Sequence, residues 1–311
     1  MKLVATRQIE QGALNQRKVD LFIGASGFEE RATHLLGRVG PNFAAQKVAF
    51  AFDDRKTEQR ERNDKIFADF GCALLETKGD DAGQIVDYLR AVVAAHRGDV
   101  LSIAVDYSCM TRAWCGAVVH GLRAITEMPR IGCLFCYSPA SFEEPVLARP
   151  NASVGPLAGF CGLDTPDRPT ALVIGLGYER ERALGLREFV DPAATFAFLT
   201  DPAIDGRYRD AVLRNNATLL SSLPKAHVFR YPMRDLQRTA DLLVSLCDGL
   251  REKYRVILAP LGPKPFSLLC MLLATRVDLD VWRVTQGTKA QPQNRAASGD
   301  ILVLNAEFEA C

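Results

Sequence analysis

Short, nearly continuous apolar runs recur along this chain, and each is followed by a stretch with helical spacing. That alternation constrains the fold more than any other feature. Strands buried on both faces read as unbroken apolar runs, and helical crossovers between them make a sheet parallel. In the first half the spacing predicts strand 19–26, helix 29–39, strand 47–54, helix 54–70, strand 73–77, helix 84–95, strand 99–108, helix 111–125 and strand 130–138. Helix 84–95 puts Ile85, Leu89 and Val92 on one face, whereas the charged helix 54–70 reads as largely solvated. Residues 1–18 read as a polar arm. The periodicity stops over 139–169, which carries six prolines and reads as a linker or crossing segment. It then resumes with strand 170–177, helix 178–190, strand 195–200, helix 206–223, extended 227–232, helix 235–253, strand 255–262, helix 264–276 and strand 279–285, and a polar loop leads to strand 300–308.

The two halves share more than element order. The first strand of one runs into Gly-Phe-Glu-Glu-Arg at 27–31, and that of the other into Gly-Tyr-Glu-Arg-Glu-Arg at 177–182. Later in each half a strand, a turn with a cation and an apolar helix follow, so that Arg112 stands opposite Lys264 and Trp114 opposite Phe266. The expectation is an α/β fold of two tandem Rossmann-like parallel-sheet units, 19–138 and 170–308, forming an internal pseudo-dimer whose strand-end loops open onto one cleft.

Composition narrows the function classes. At 311 residues, 48% hydrophobic and 24% charged, the chain has the balance of a globular protein of two ordinary domains. No apolar run is long enough to span a membrane, and the first residues are too polar for a signal peptide, so a cytoplasmic protein is expected. A net charge of +1 argues against an extensive nucleic-acid surface. The nine cysteines are odd in number and most lie in apolar segments, as buried thiols do in a reducing compartment. Cys133 and Cys136 lie three apart on a strand and face opposite sides, which chelates poorly. The four histidines lack metal spacing, His120 reads as a core or interface residue, and no dinucleotide, P-loop, hydrolase or metalloprotease motif occurs. No cofactor and no metal are expected.

In an open parallel sheet, ligands bind beyond the carboxyl ends of the strands, where helix N-termini favour anions. Four loops fall there. The first offers Gly24, Ser26, Gly27, Glu29 and Arg31, and its counterpart Gly177, Tyr178, Glu179 and Arg182. The second offers Asp106, Ser108, Thr111 and Arg112, whose hydroxyls and cation suit a phosphate, and its counterpart Gly262 and Lys264, where two prolines remove amide donors and predict weaker binding. Plainer readings stand beside these. Glu29 and Glu179 also serve as first-turn acids, and Ser108 or Thr111 as helix caps with Arg112 neutralising Asp106. Asp53 and Asp54 lie where a Rossmann acid grips ribose, or form a solvated helix start. The 285–299 loop, with Lys289 and Arg295, reads as a lid or a mobile turn.

The turn Asp106-Tyr-Ser-Cys-Met-Thr111-Arg112 resembles the strand-end turn of CARF domains, Rossmann-like sensors of cyclic oligoadenylates in prokaryotic antiviral immunity, and Gly24-Ala-Ser26 matches their small-residue loop. Two such units in one chain resemble the pseudo-dimer of SAVED domains. This chain has Cys109-Met110 where those turns have two glycines and Arg112 where they have lysine, and the second copy keeps only the cation. The resemblance implies a sensor of a nucleotide-derived anion, possible partners being an effector protein or further copies of the chain. Two other functions stay open: a ring-nuclease-like phosphodiesterase in which Ser26, Thr111 and Arg112 position the phosphate, and an interaction subunit without a ligand.

Overall fold

Val19–Ser26 is apolar enough to be buried almost throughout, and it forms the middle of a sheet in the computed structural model, which describes residues 1–54, 56–144, 152–162, 167–277, 279–285 and 293–310. The strands and helices of the first half are β1 (Lys2–Ile9), β2 (Val19–Ser26), β3 (Ala44–Phe52), α1 (Glu58–Asp69), β4 (Ala73–Thr77), α2 (Gly83–Ala95), β5 (Val100–Asp106), α3 (Arg112–Ala124) and β6 (Arg130–Tyr137). Those of the second are β7 (Ser153–Pro156), β8 (Thr170–Gly175), α4 (Arg182–Val190), β9 (Ala194–Thr200), α5 (Gly206–Asn215), α6 (Ala217–Ser222), β10 (Val228–Tyr231), α7 (Leu236–Arg251), β11 (Arg255–Pro260), α8 (Lys264–Arg276) and β12 (Asp280–Thr285), and β13 (Leu302–Glu309) ends the chain.

The chain divides into two α/β units, Met1–Ser141 with Gln291–Cys311, and Phe142–Ala290. The first sheet has the order β1-β13-β6-β5-β2-β3-β4, parallel from β6 to β4. Counting only its parallel strands in chain order, that is 3-2-1-4-5 read from β4. The second sheet, β10-β9-β8-β11-β12-β7, gives the same 3-2-1-4-5 read from β10. Each carries an antiparallel strand beside its fifth parallel one, β13 on β6 and β7 on β12, and in the first sheet β1 lies beyond β13. The Rossmann-like character of both units is therefore set by pairing, not by element order alone. The core residues, such as Leu21, Phe22 and Ile23 of β2 and Leu172, Val173 and Ile174 of β8, are fully buried. Each contributes about 1.5–3 kcal/mol relative to exposure.

Several expectations need correction. The polar arm is the edge strand β1, in which only Leu3 is buried, paired antiparallel with β13. β13 itself, expected in a second unit spanning 170–308, lies between β1 and β6 of the first sheet. The segment 139–169 is not a bare linker. Its β7 pairs with β12, and Gly162 N donates to Asp280 Oδ1 at 2.6 Å, with Arg255 holding the other oxygen of that buried carboxylate. The expected helix 29–39 is a 3-10 turn at Glu30–Thr33 followed by further turns. Helix 206–223 breaks into α5 and α6 at Asn216, whose side chain is used elsewhere. On α2 the third buried residue is Val93 in place of Val92.

Candidate functional site

The strand order reverses between β2 and β5 in the first unit and between β8 and β11 in the second, and the four predicted loops leave those strands. That is where an open α/β sheet offers a crevice.

In the first unit the loop after β2 is held from α1. Asn63, fully buried, donates through Nδ2 to the carbonyls of Gly27 (2.7 Å) and Glu29 (2.8 Å). Ser26 Oγ donates to Asp64 Oδ1 at 2.6 Å, and the same oxygen accepts Arg60 Nε at 2.8 Å while Arg60 Nη1 bonds the Phe52 carbonyl. The helix read as solvated thus buries Arg60, Asn63 and Phe67 to fix this loop. Gly24 is a packing position: a Cβ there would meet Phe67 at 2.8 Å. Gly27 likewise faces the Phe52 ring at 3.3 Å.

Arg31 is the electrostatic centre of this loop. Its side chain is 4% exposed, and it pairs side-on with Glu29, Nε to Oε2 at 2.7 Å and Nη2 to Oε1 at 3.3 Å. Nη1 donates to the Ser138 carbonyl at 2.8 Å, and the guanidinium lies 5.6 Å from the centre of the Tyr137 ring. Burial opposes its charge, but Tyr137, Cys109 and Glu29 around it outweigh that and hold its pKa well above the ordinary arginine value. Ser108 Oγ accepts from Ser138 N at 2.7 Å and donates to Asp106 Oδ1, which also takes Ser108 N at 3.0 Å. A buried polar chain therefore joins the ends of β2, β5 and β6. Residues after 292 run across it: Glu30 N donates to Asn294 Oδ1 (2.7 Å), Arg31 N to the Arg295 carbonyl (3.1 Å) and Ser298 N to the Pro139 carbonyl (2.8 Å).

Thr111 takes the plainer of its two readings. Its Oγ1 caps α3 by accepting Trp114 N at 3.0 Å and donates to the Gly79 carbonyl at 2.8 Å. Arg112 opens α3 half-buried. Trp114 stacks on Phe52 at 4.2 Å and donates from its indole to the Lys78 carbonyl.

The second unit repeats the clamp. Asn216 Nδ2 donates to the Gly177 carbonyl (2.8 Å) and Asn215 Nδ2 to that of Tyr178 (2.6 Å). Here the two switch-point loops abut. A Cβ on Gly177 would lie 2.5 Å from the Leu261 carbonyl oxygen, and one on Gly262 2.6 Å from that of Leu176. Both glycines are required by backbone approaching backbone. Tyr178 stacks on Tyr208 at 6.0 Å. Glu179 reaches Arg182 only through Nη1, at 3.2 Å, with side chains 24% and 10% exposed. Arg182 Nε and Nη2 are buried and meet no acceptor among the described residues. Lys264 opens α8 half-buried. Lys289 lies outside the described residues, as do residues 286–292 of the expected lid.

Gly27, Glu29, Arg31, Asp106 and Ser108 are thus brought together in the first unit, and Gly177, Tyr178, Glu179, Arg182 and Gly262 in the second. The sequence reading missed Asn63, Arg60, Asp64, Ser138, Asn215 and Asn216. A signal for the clamps was present: Asn63 lies 36 residues after Gly27 and Asn216 39 after Gly177, at matching places in the repeat. No group of residues able to hold a metal, and no helix long and apolar enough to cross a membrane, occurs among the described residues.

No family model matches the chain, and no curated protein does. A search of solved structures finds the cytoplasmic domain of a prokaryotic cation chloride cotransporter, 11% identical, covering 88% of this chain and 97% of that one at a TM-score of 0.27. A score that low carries no argument about fold or function.

Proposed function

We propose that this protein binds a nucleotide-derived anion without consuming it, at the strand-end loops where its sheets change direction. One observation carries the reading: both units hold the same Gly-aromatic-Glu loop at the switch point by a buried asparagine, Asn63 on α1 and Asn216 between α5 and α6, with Asn215 adding a further bond in the second. A loop rigidified twice by the same device, away from the core, is pre-set for recognition. The CARF-like turn makes a cyclic oligonucleotide the ligand to test first, and cytoplasmic antiviral sensing the role to test with it. A phosphodiesterase is disfavoured, since Ser26 is committed to Asp64 and Thr111 to capping α3 and to Gly79. A hydroxyl has one proton to donate, and both of these are already given to the scaffold, which leaves them poorly placed to position a phosphate. The test is a panel of cyclic oligonucleotides, cyclic dinucleotides and mononucleotides, read by thermal shift and by chromatography of the recovered ligand. A shift with intact ligand is expected; cleavage would make the protein an enzyme, and no shift with any member would leave the interaction-subunit reading.

A further inference from the structure

We infer that the Nε/Nη2 edge of Arg182 is an oxyanion subsite of the second unit, suited to a phosphate ester or a carboxylate. This deepens the binding reading above and rests on it. The argument is a comparison between the two copies of one loop. In the first, Glu29 fills the side-on edge of Arg31 with both carboxylate oxygens. In the second, the glutamate and arginine are three residues apart in place of two, and Glu181 between them adopts a left-handed conformation, φ 56°. Glu179 then reaches only Nη1, on the other side of the guanidinium. The edge that Glu29 occupies in the first unit stays buried in the second without an acceptor among the described residues.

Buried charged donors are disfavoured unless they are met. The group that satisfies Nε and Nη2 together is a two-oxygen anion, bound side-on as Glu29 is. Helix α4 begins at Arg182, so its positive end adds to the attraction. The loop before it is fixed by Asn215 and Asn216, which leaves little ordering cost on binding. The first unit carries its own anion in Glu29, under the residues that follow 292, and the second takes its anion from solution. This reverses the expectation from the prolines beside Lys264, which made the second copy the weaker binder.

The experiment is a titration of the full chain with inorganic phosphate, acetate and adenosine monophosphate, followed through the arginine Nε–H resonances, with affinities by calorimetry. The Arg182 signal, assigned by its loss in Arg182→Lys, should move while that of Arg31 stays. Arg182→Lys keeps the charge but has no edge, and should weaken phosphate binding about ten- to a hundredfold, as loss of charge-assisted hydrogen bonds does. Glu179→Gln removes a neighbouring negative charge and should bind at least as tightly as the wild type. Movement with acetate alone would assign the subsite to a carboxylate. An unmoved Arg182 signal at saturation, or equal affinity in Arg182→Lys, overturns the inference. If nucleotides bind while Arg182 stays unmoved, the subsite falls and the binding reading stands. If phosphate moves Arg182 but no nucleotide in the panel binds, the subsite stands and the nucleotide reading falls.

Discussion

Asn63→Ala removes the clamp on the first loop at one point. Asn63 Nδ2 is the hydrogen-bond partner of the Gly27 carbonyl and the second partner of the Glu29 carbonyl, which also accepts Ala32 N at 3.0 Å. Losing two such bonds at a fully buried site, with the Gly27 carbonyl left desolvated, should cost about 2–3 kcal/mol. The truncation leaves a void besides, which puts the value at the upper end of that range. The two units each carry one tryptophan, Trp114 and Trp282, so they can be followed separately. In a Trp282→Phe background, urea unfolding reported by buried Trp114 isolates the first unit, and the Trp282 indole makes no hydrogen bond among the described residues that the change would remove. A loss below about 0.5 kcal/mol, within the range of an ordinary surface substitution, would refute the clamp as the device that holds this loop.

Deleting residues 300–311 removes the strand that joins β1 to β6, so Trp114 should become solvent-exposed while Trp282 keeps its native emission; a native Trp114 signal would contradict the strand order. Gly177→Ala would bring a Cβ within 2.5 Å of the Leu261 carbonyl, and should destabilise the second unit by about 1–3 kcal/mol or more in urea unfolding followed by Trp282; an unchanged transition would show that the two loops do not abut. Burial, then Arg38, holds the His34 pKa below the ordinary 6.5, with a backbone contact at Gly299 opposing them. Protons therefore bind the unfolded state first, and stability should fall as the pH drops below about 6.5. His34→Gln should flatten the fall in melting temperature between pH 7 and 5, and equal slopes would contradict the assignment.

The parallel strands were legible because burial on both faces makes them apolar throughout, as in Leu21–Ile23 and Leu172–Ile174. The repeat was legible because its loops kept a glycine, an aromatic and a glutamate in order. β1 was hidden because an edge strand with one buried side chain reads as a polar segment. β13 was visible as a strand, but nothing in an apolar run tells which sheet it joins, and nearness in sequence pointed to the wrong one. Arg60 and Asn63 were hidden for a different reason. Hydropathy marks such residues as solvated, whereas their partners at Phe52 and Gly27 bury them. The same holds for the site. Ser26 and Thr111 are residue types that bind phosphate, and also residue types that hold a helix and a loop in place; only the acceptors at Asp64 and Gly79 decide between those uses.

Amide hydrogen exchange of the full chain, with and without the tightest-binding member of the nucleotide panel, tests the central claim most directly. Exchange should slow at residues 176–186, around the Tyr178 loop and the start of α4, and the ligand should be recovered intact. Unchanged exchange in that segment, or a cleaved ligand, would contradict the account.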